Sequence, residues 1–123
     1  MTPAPLTLSD EQLERYARHI VLKEIGGAGQ ARLLSADVAV IGAGGIGSPA
    51  ILYLAAAGVS TIRVIDDDHV ALSNLQRQVL FGTDDIGAAK AESAMAAVAR
   101  LNPDVKLIPI NARNDADNAA LML

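Results

Sequence analysis

The chain has 123 residues, of which 51% are hydrophobic, and it carries a formal net charge of −4. This length fits one domain or part of one, and the composition is that of a compact globular core. The negative charge argues against nucleic-acid binding, and the absence of cysteine excludes a disulfide framework or a Cys-based zinc site within these residues.

The chain offers no clear targeting or membrane signal. Its first residues lack the basic and apolar regions of a secretory signal peptide. Positions 38–59 carry no charge over 22 residues, which is long enough to span a bilayer. Four glycines and Pro49 interrupt this stretch, so a buried strand–turn–helix explains it better. We therefore predict a cytoplasmic protein without membrane contact.

The first 36 residues are predicted to form a helical segment. Ser9 and Gln12 have the spacing of a capping box, which predicts a helix that runs to about Glu24. Three glycines between positions 26 and 29 are predicted to end it, before a short helix over 30–34. The predicted apolar face of the long helix consists of Leu13, Tyr16, Ala17, Ile20 and Val21.

Strands and helices are predicted to alternate in the remaining residues, 37–123. The predicted elements are a strand over 37–41, a helix over 45–57 that stops at Gly58, a strand over 61–66, a helix over 88–101, a strand over 105–110 and a helix from Asp115. This order is the first half of a doubly wound fold, a Rossmann-like parallel sheet with helices on both faces. A fourth strand would lie beside the first, so we expect the chain to be the front part of a longer protein.

A glycine-rich turn joins the first predicted strand to its helix. Gly42, Gly44 and Gly47 have the G-x-G-x-x-G spacing, and Gly45 lies between them. Asp66 follows the last of these glycines by 19 residues, at the end of the next strand. In a dinucleotide-binding unit the glycines let the backbone approach a phosphate, and the acid accepts hydrogen bonds from ribose hydroxyls. The turn therefore predicts a nucleotide site.

The residues alone leave the nucleotide open. Ser48 stands where a P-loop would have lysine, so cations from elsewhere would have to balance the charge of ATP. Arg77, in the long connection 67–86, and Lys90, in the first turn of the next helix, are candidates. An NAD-dependent oxidoreductase domain would explain the glycines and Asp66 but gives these cations no role. A non-catalytic nucleotide-binding module is the third reading.

Several motifs together resemble the N-terminal half of the MoeB/ThiF/HesA branch of the ubiquitin-activating enzyme family. The similarity extends from about residue 8 to the end of the chain. The motifs that carry it are Arg15-Tyr16-Ala17-Arg18, the glycine turn 42–47, Asp66-Asp67-Asp68, Ser73-Asn74-Leu75-Gln76-Arg77-Gln78, Gly87 with Lys90, and Leu101-Asn102-Pro103. The run 73–78 is far more specific than the glycines.

The resemblance implies an ATP-dependent adenylyltransferase. Such an enzyme uses ATP and Mg²⁺ to activate the C-terminal Gly-Gly carboxylate of a small β-grasp sulfur-carrier or ubiquitin-like protein of the molybdopterin or thiamine type. The resemblance also implies a homodimer, in which Arg18 reaches the γ-phosphate side of the partner subunit's nucleotide.

The same resemblance implies a set of site residues. Arg77, Lys90 and Arg18 would be catalytic. The implied nucleotide-binding residues are Gly42, Gly44, Gly45, Gly47, Asp66, Asp68, Ser73, Asn74, Gln76, Arg77 and Lys90. We predict no metal site within these residues, because Asp67, Asp68 and His69 fit an acidic turn at a strand end. In the family, the magnesium-binding aspartate, the zinc ligands and a cysteine come later in the chain.

Overall fold

The computed structural model describes residues 8–112. The helix predicted from Asp115 lies outside them. The helices are α1 Asp10–Arg15, α2 Ala17–Ile20, α3 Gly26–Leu33, α4 Gly47–Ala57 and α5 Lys90–Leu101, and the strands are β1 Asp37–Ile41, β2 Thr61–Ile65 and β3 Lys106–Ile110. Strand β1 has its predicted bounds, and the other predicted strands and helices of the α/β part begin or end within two residues of prediction.

The three strands form one parallel sheet in the order β1-β2-β3. Asp37 lies beside Thr61, which lies beside Lys106, and the register continues to the carboxyl ends of the strands. The predicted fold class, a Rossmann-like α/β sheet, is confirmed. Because the strands are parallel, their carboxyl ends meet at one edge of the sheet, where such folds bind ligands.

The hydrophobic core lies between the sheet and the helices α4 and α5, which also contact each other. Ile62 and Val64 of β2 and Ile51 of α4 are completely buried there. The continuous apolar sequence of β1 predicts burial on both faces, but burial along this strand alternates instead. On β1 the residues of the face that includes Ile41 are exposed, and the Ile41 side chain is 55% exposed.

The N-terminal helix differs from its prediction. The capping box is confirmed, since the Gln12 backbone N–H donates to Ser9 Oγ and the Ser9 N–H to Gln12 Oε1. The helix is not continuous to Glu24, however, because it breaks at Tyr16 and α2 ends at Ile20. Of the five predicted apolar-face residues only Tyr16 is buried, and Val21 is 79% exposed. The break allows Tyr16 to turn into the α/β part, where its hydroxyl finds hydrogen-bond partners.

The prediction that the three glycines at positions 26–29 end a helix is wrong. These glycines lie inside α3 instead. Gly26 has φ +62°, which redirects the chain into this helix. Tertiary contacts then outweigh the low helix propensity of glycine. Gln30 of α3 is completely buried, and its Nε2 donates to the Ala57 carbonyl at the end of α4 over 2.9 Å.

The segment α1–α3 packs at the amino ends of the strands. Gly58 ends α4 with φ +89°, as its predicted role requires, and β2 begins three residues later. A Cβ on Gly58 would lie 2.8 Å from the Tyr16 ring and 2.9 Å from Gln30 Nε2. The helical segment therefore lies at the amino ends of the strands, and the glycine turn lies at their carboxyl ends. No helix within residues 8–112 is long and apolar enough to cross a membrane.

Candidate nucleotide site

The glycine turn leaves the carboxyl end of β1 and begins α4. Gly42 has φ +88°, and its N–H donates to the Ile65 carbonyl over 2.8 Å. A Cβ on Gly47 would overlap the Gly42 carbonyl oxygen, so the tight turn requires glycine there. Gly44 and Gly45 have no atom within 4 Å of the place of a Cβ. The space beside their Cα atoms is therefore open at the start of a helix, where N–H groups favour an anion.

Asp66 ties this turn to the end of β2. Its Oδ2 accepts the Ala43 N–H over 2.8 Å, and its Oδ1 accepts the Asp68 N–H over 2.7 Å. Each carboxylate oxygen can accept a second hydrogen bond, so the predicted ribose contact is compatible with this geometry. Asp66 thus has a structural role that its spacing from the glycines did not reveal.

Lys90 begins α5 beside the acidic stretch 66–68. Its side chain is only 6% exposed, and Nζ lies 3.3 Å from Asp68 Oδ2. The Lys90 backbone N–H also donates to the Asp68 carbonyl over 3.0 Å. The pKa of Asp68 lies below its ordinary value, first because the His69 backbone N–H donates to its carboxylate and second because of Lys90. A cation that the helix dipole disfavours is therefore held in place by a carboxylate.

The long connection 67–86 is ordered rather than featureless, with short 3-10 helices at Leu72–Asn74 and Thr83–Asp85. Asn74 Oδ1 accepts the Ala71 N–H, so the amide nitrogen Nδ2 is the group that Asn74 can offer to a ligand. Arg77 is exposed, and its Nη1 donates to the Ser73 carbonyl over 3.2 Å. Ser73 and Gln76 are also exposed.

Two buried polar residues of this region were missed by the sequence analysis as site residues. Ser48 in the first turn of α4 is completely buried, and its Oγ accepts the Leu80 N–H over 3.0 Å. This bond ties the connection to the glycine turn. Gln78 is 3% exposed, and its buried Oε1 has no hydrogen-bond partner among the described residues. No spacing rule distinguishes either residue from an ordinary polar surface residue.

Most of the implied site residues lie in segments that meet at one edge of the sheet. The glycine turn, Asp66, the connection and the start of α5 are joined there by the hydrogen bonds of Asp66, Ser48 and Asp68. Arg18 is the exception, because α2 packs at the opposite edge. The strands are five residues long, so about 16 Å of sheet separates Arg18 from the glycine turn of its own chain.

Curated proteins that resemble this chain include adenylyltransferases and an activating enzyme. The SAMP-activating enzyme E1 of Haloferax volcanii is 58% identical over 113 residues, which are 92% of this chain and 42% of that protein. The sulfur carrier protein ThiS adenylyltransferase of Escherichia coli is 47% identical over 106 residues, 86% of this chain and 42% of that protein. The chain thus spans less than half the length of these relatives.

Solved structures match in fold as well as in sequence. The tRNA N6-threonylcarbamoyladenosine dehydratase TcdA of E. coli, solved in complex with ATP, has a TM-score of 0.85 and 30% identity, over 94% of this chain and 47% of that one. E. coli MccB, solved with AMPCPP and MccA, has a TM-score of 0.69 and 36% identity, over 75% and 27%. Residues 16–123 match the ThiF family, and the chain belongs to that family.

Proposed function

We propose that this chain forms the nucleotide-binding half of an ATP-dependent adenylyltransferase. One observation carries the proposal: the glycine turn and Lys90 lie at the same edge of the sheet. The turn leaves open space at Gly44 and Gly45, and hydrogen bonds of Asp66 and Asp68 join it to the segment that holds the Lys90 cation. The backbone suits a phosphate, and the lysine supplies charge that a P-loop would otherwise supply. The relatives named as adenylyltransferases and the structures solved with ATP and AMPCPP support it.

The proposed reaction is transfer of AMP to a carboxylate. An oxygen of the C-terminal carboxylate of a small carrier protein attacks the α-phosphorus of MgATP. The bond from the α-phosphorus to the bridging oxygen breaks, and pyrophosphate leaves with the electron pair, which gives an acyl-adenylate. Arg77 and Lys90 would stabilise the charge that develops on the leaving pyrophosphate, while Asn74 donates to the phosphates and Asp66 holds the ribose.

The substrate class that we propose is a small β-grasp sulfur-carrier or ubiquitin-like protein with a Gly-Gly end. The names of the relatives support it, since they include enzymes for SAMP and for ThiS. We further propose a homodimer. Arg18 belongs to α2, which about 16 Å of sheet separates from the glycine turn of its own chain, and this separation supports contact with the nucleotide of a second copy.

Thermal-shift measurements separate the competing functions. The full-length protein should be stabilised by MgATP and much less by NAD, because binding to the folded state alone raises stability. Stabilisation by NAD would favour the oxidoreductase reading. ATP–pyrophosphate exchange that depends on a Gly-Gly-ended carrier then distinguishes the enzyme from a non-catalytic nucleotide-binding module. A carrier that lacks the two glycines is the control, and MgATP binding without exchange would contradict the proposed reaction.

A further inference from the structure

Helix α2 is too short to hold its own conformation. It has four residues, Ala17–Ile20, and follows directly on the break at Tyr16. An isolated helix of this length is unstable in water, because nucleation costs more than so few hydrogen bonds return. Something outside α2 must therefore fix the orientation of this helix, and with it the direction of its exposed residue Arg18.

The first anchor of α2 is Tyr16. Its hydroxyl donates to Asp104 Oδ2 and accepts from Asn102 Nδ2, each over 2.9 Å. Burial raises the pKa of the Tyr16 phenol, so the donor remains protonated at neutral pH. Asn102 is itself completely buried and also donates to the Ala55 carbonyl of α4. Tyr16 is therefore held by residues that precede β3 and by the body of α4.

The second anchor is His19, three residues along the same face. His19 Nδ1 lies 2.8 Å from Gln30 Oε1, and Gln30 Nε2 donates to the Ala57 carbonyl. Because the amide nitrogen is used by that carbonyl, the oxygen of Gln30 must accept, and His19 must donate from a protonated Nδ1. The bond is thus directional. It leads from α2 through a buried side chain of α3 to the end of α4.

Gly58 makes room for both anchors. A Cβ on Gly58 would be in steric conflict with the Tyr16 ring and with Gln30 Nε2 at the same time. The two hydrogen-bonded chains therefore meet around one residue at the end of α4. Arg18 lies between Tyr16 and His19 in sequence but is exposed, since a step of 100° per residue directs it away from both.

We propose that Tyr16 and His19 are positioning residues that fix α2, so that Arg18 is presented to the nucleotide site of a second copy of the chain. The inference rests on the proposed function and names residues that assist Arg18 without touching the substrate. The directional bond of His19 makes it testable. Asparagine places its amide nitrogen near the position of Nδ1, whereas glutamine places its amide nitrogen near that of Nε2.

The test uses carrier-dependent ATP–pyrophosphate exchange by the full-length protein. His19→Ala should lower kcat by about 10- to 100-fold, since a small misplacement of a catalytic group has effects of this size, and leave the KM for ATP unchanged. His19→Asn should restore kcat and His19→Gln should not. The double variant Arg18→Ala/His19→Ala should be no slower than Arg18→Ala alone, because the two residues act as one unit.

Two results would overturn the inference. One is a decrease in kcat from His19→Ala that is as large in the Arg18→Ala variant as in the wild type. The other is unchanged hydrogen exchange of the backbone amides of α2 in His19→Ala, whether or not the protein is active. If the wild type shows no carrier-dependent ATP–pyrophosphate exchange, the proposed function itself fails. This result is distinct from the two above, and it also removes the proposed role of Tyr16 and His19 in presenting Arg18. If the wild type is active and Arg18→Ala has the same rate of pyrophosphate exchange, the result contradicts the role of Arg18 but not the proposed function.

Discussion

At the scale of single residues, two glycines of the turn have different reasons to be glycine. Gly47 is required by the fold, since a Cβ would overlap the Gly42 carbonyl oxygen, whereas the place of a Cβ on Gly44 is open. We expect Gly44→Ala to leave the melting temperature nearly unchanged and to weaken ATP binding, because the new methyl group occupies the approach to the backbone. Gly47→Ala should lower both. Calorimetric melting and titration with ATP measure the two effects, and undiminished ATP binding by Gly44→Ala would contradict a phosphate contact there.

The nucleotide contacts can be assigned by comparing ATP with AMP. Arg77→Ala and Lys90→Ala should weaken ATP binding by about 1.5–3 kcal/mol each and AMP binding much less, since these cations are proposed to face the outer phosphates. Asp66→Ala should weaken both nucleotides alike and also lower stability, because its carboxylate holds the Ala43 N–H. Lys106→Ala, an exposed lysine at the start of β3, is the matched control. Equal losses of ATP and AMP affinity in Arg77→Ala would show that Arg77 does not contact the outer phosphates.

The carboxylate of Asp68 reports on its contact with Lys90. The pKa of Asp68 is depressed, so its contribution to stability is present above the unfolded-state pKa and is lost as the pH falls through the folded-state value. Lys90→Met should raise the pKa of Asp68 only part of the way, because the His69 N–H, the larger cause, remains. Carboxyl NMR titration measures this pKa, with Lys106→Met as the control. An unchanged pKa in Lys90→Met would show that the ion pair does not form in solution.

At the scale of elements, the junction of α4, α2 and α3 around Gly58 should limit stability. Gly58→Ala should destabilise the fold by about 2–4 kcal/mol, which combines the cost of a left-handed backbone for alanine with the overlap on Tyr16 and Gln30. Gly87→Ala is the matched control, since Gly87 has φ +90° and no atom within 4 Å of the place of a Cβ. It should cost about 1–2 kcal/mol, from the backbone alone. Chemical denaturation of the full-length protein measures both, and equal losses would argue against the tight junction.

At the scale of the whole molecule, β1 is an edge strand among the described residues, and Ile41 and Ile46 beside it are 55% and 89% exposed. An uncovered apolar edge invites pairing with another chain. We therefore expect residues 1–123, expressed alone, to self-associate in light scattering and to lack carrier-dependent pyrophosphate exchange. Ile41→Lys should reduce the association. Met95→Lys, which replaces a 43% exposed apolar residue of α5 on the β3 side of the sheet, should not. A monodisperse and active monomer would contradict both expectations.

The sequence by itself determined the α/β part and the place of the candidate site. Apolar runs of strand length, Gly58 and the Asn102-Pro103 pair bound the elements within two residues, because these signals are local and depend on backbone conformation. The glycine turn and Asp66 are likewise local features of one strand–turn–helix–strand unit. Parallel pairing then brings their strand ends to one edge of the sheet whatever the remaining side chains are.

The tertiary structure alone decided where the N-terminal segment breaks and what its residues contact. Periodicity predicts one helix through Tyr16 and an end at the glycines. The hydrogen bonds of Tyr16 with Asn102 and Asp104, 86 and 88 residues away, instead stabilise a break, and the bond from Gln30 to Ala57 supports a helix rich in glycine. Such contacts join residues far apart in sequence. No local pattern can therefore specify them, and the same holds for the bond between Ser48 and Leu80 and for the burial of Lys90 against Asp68.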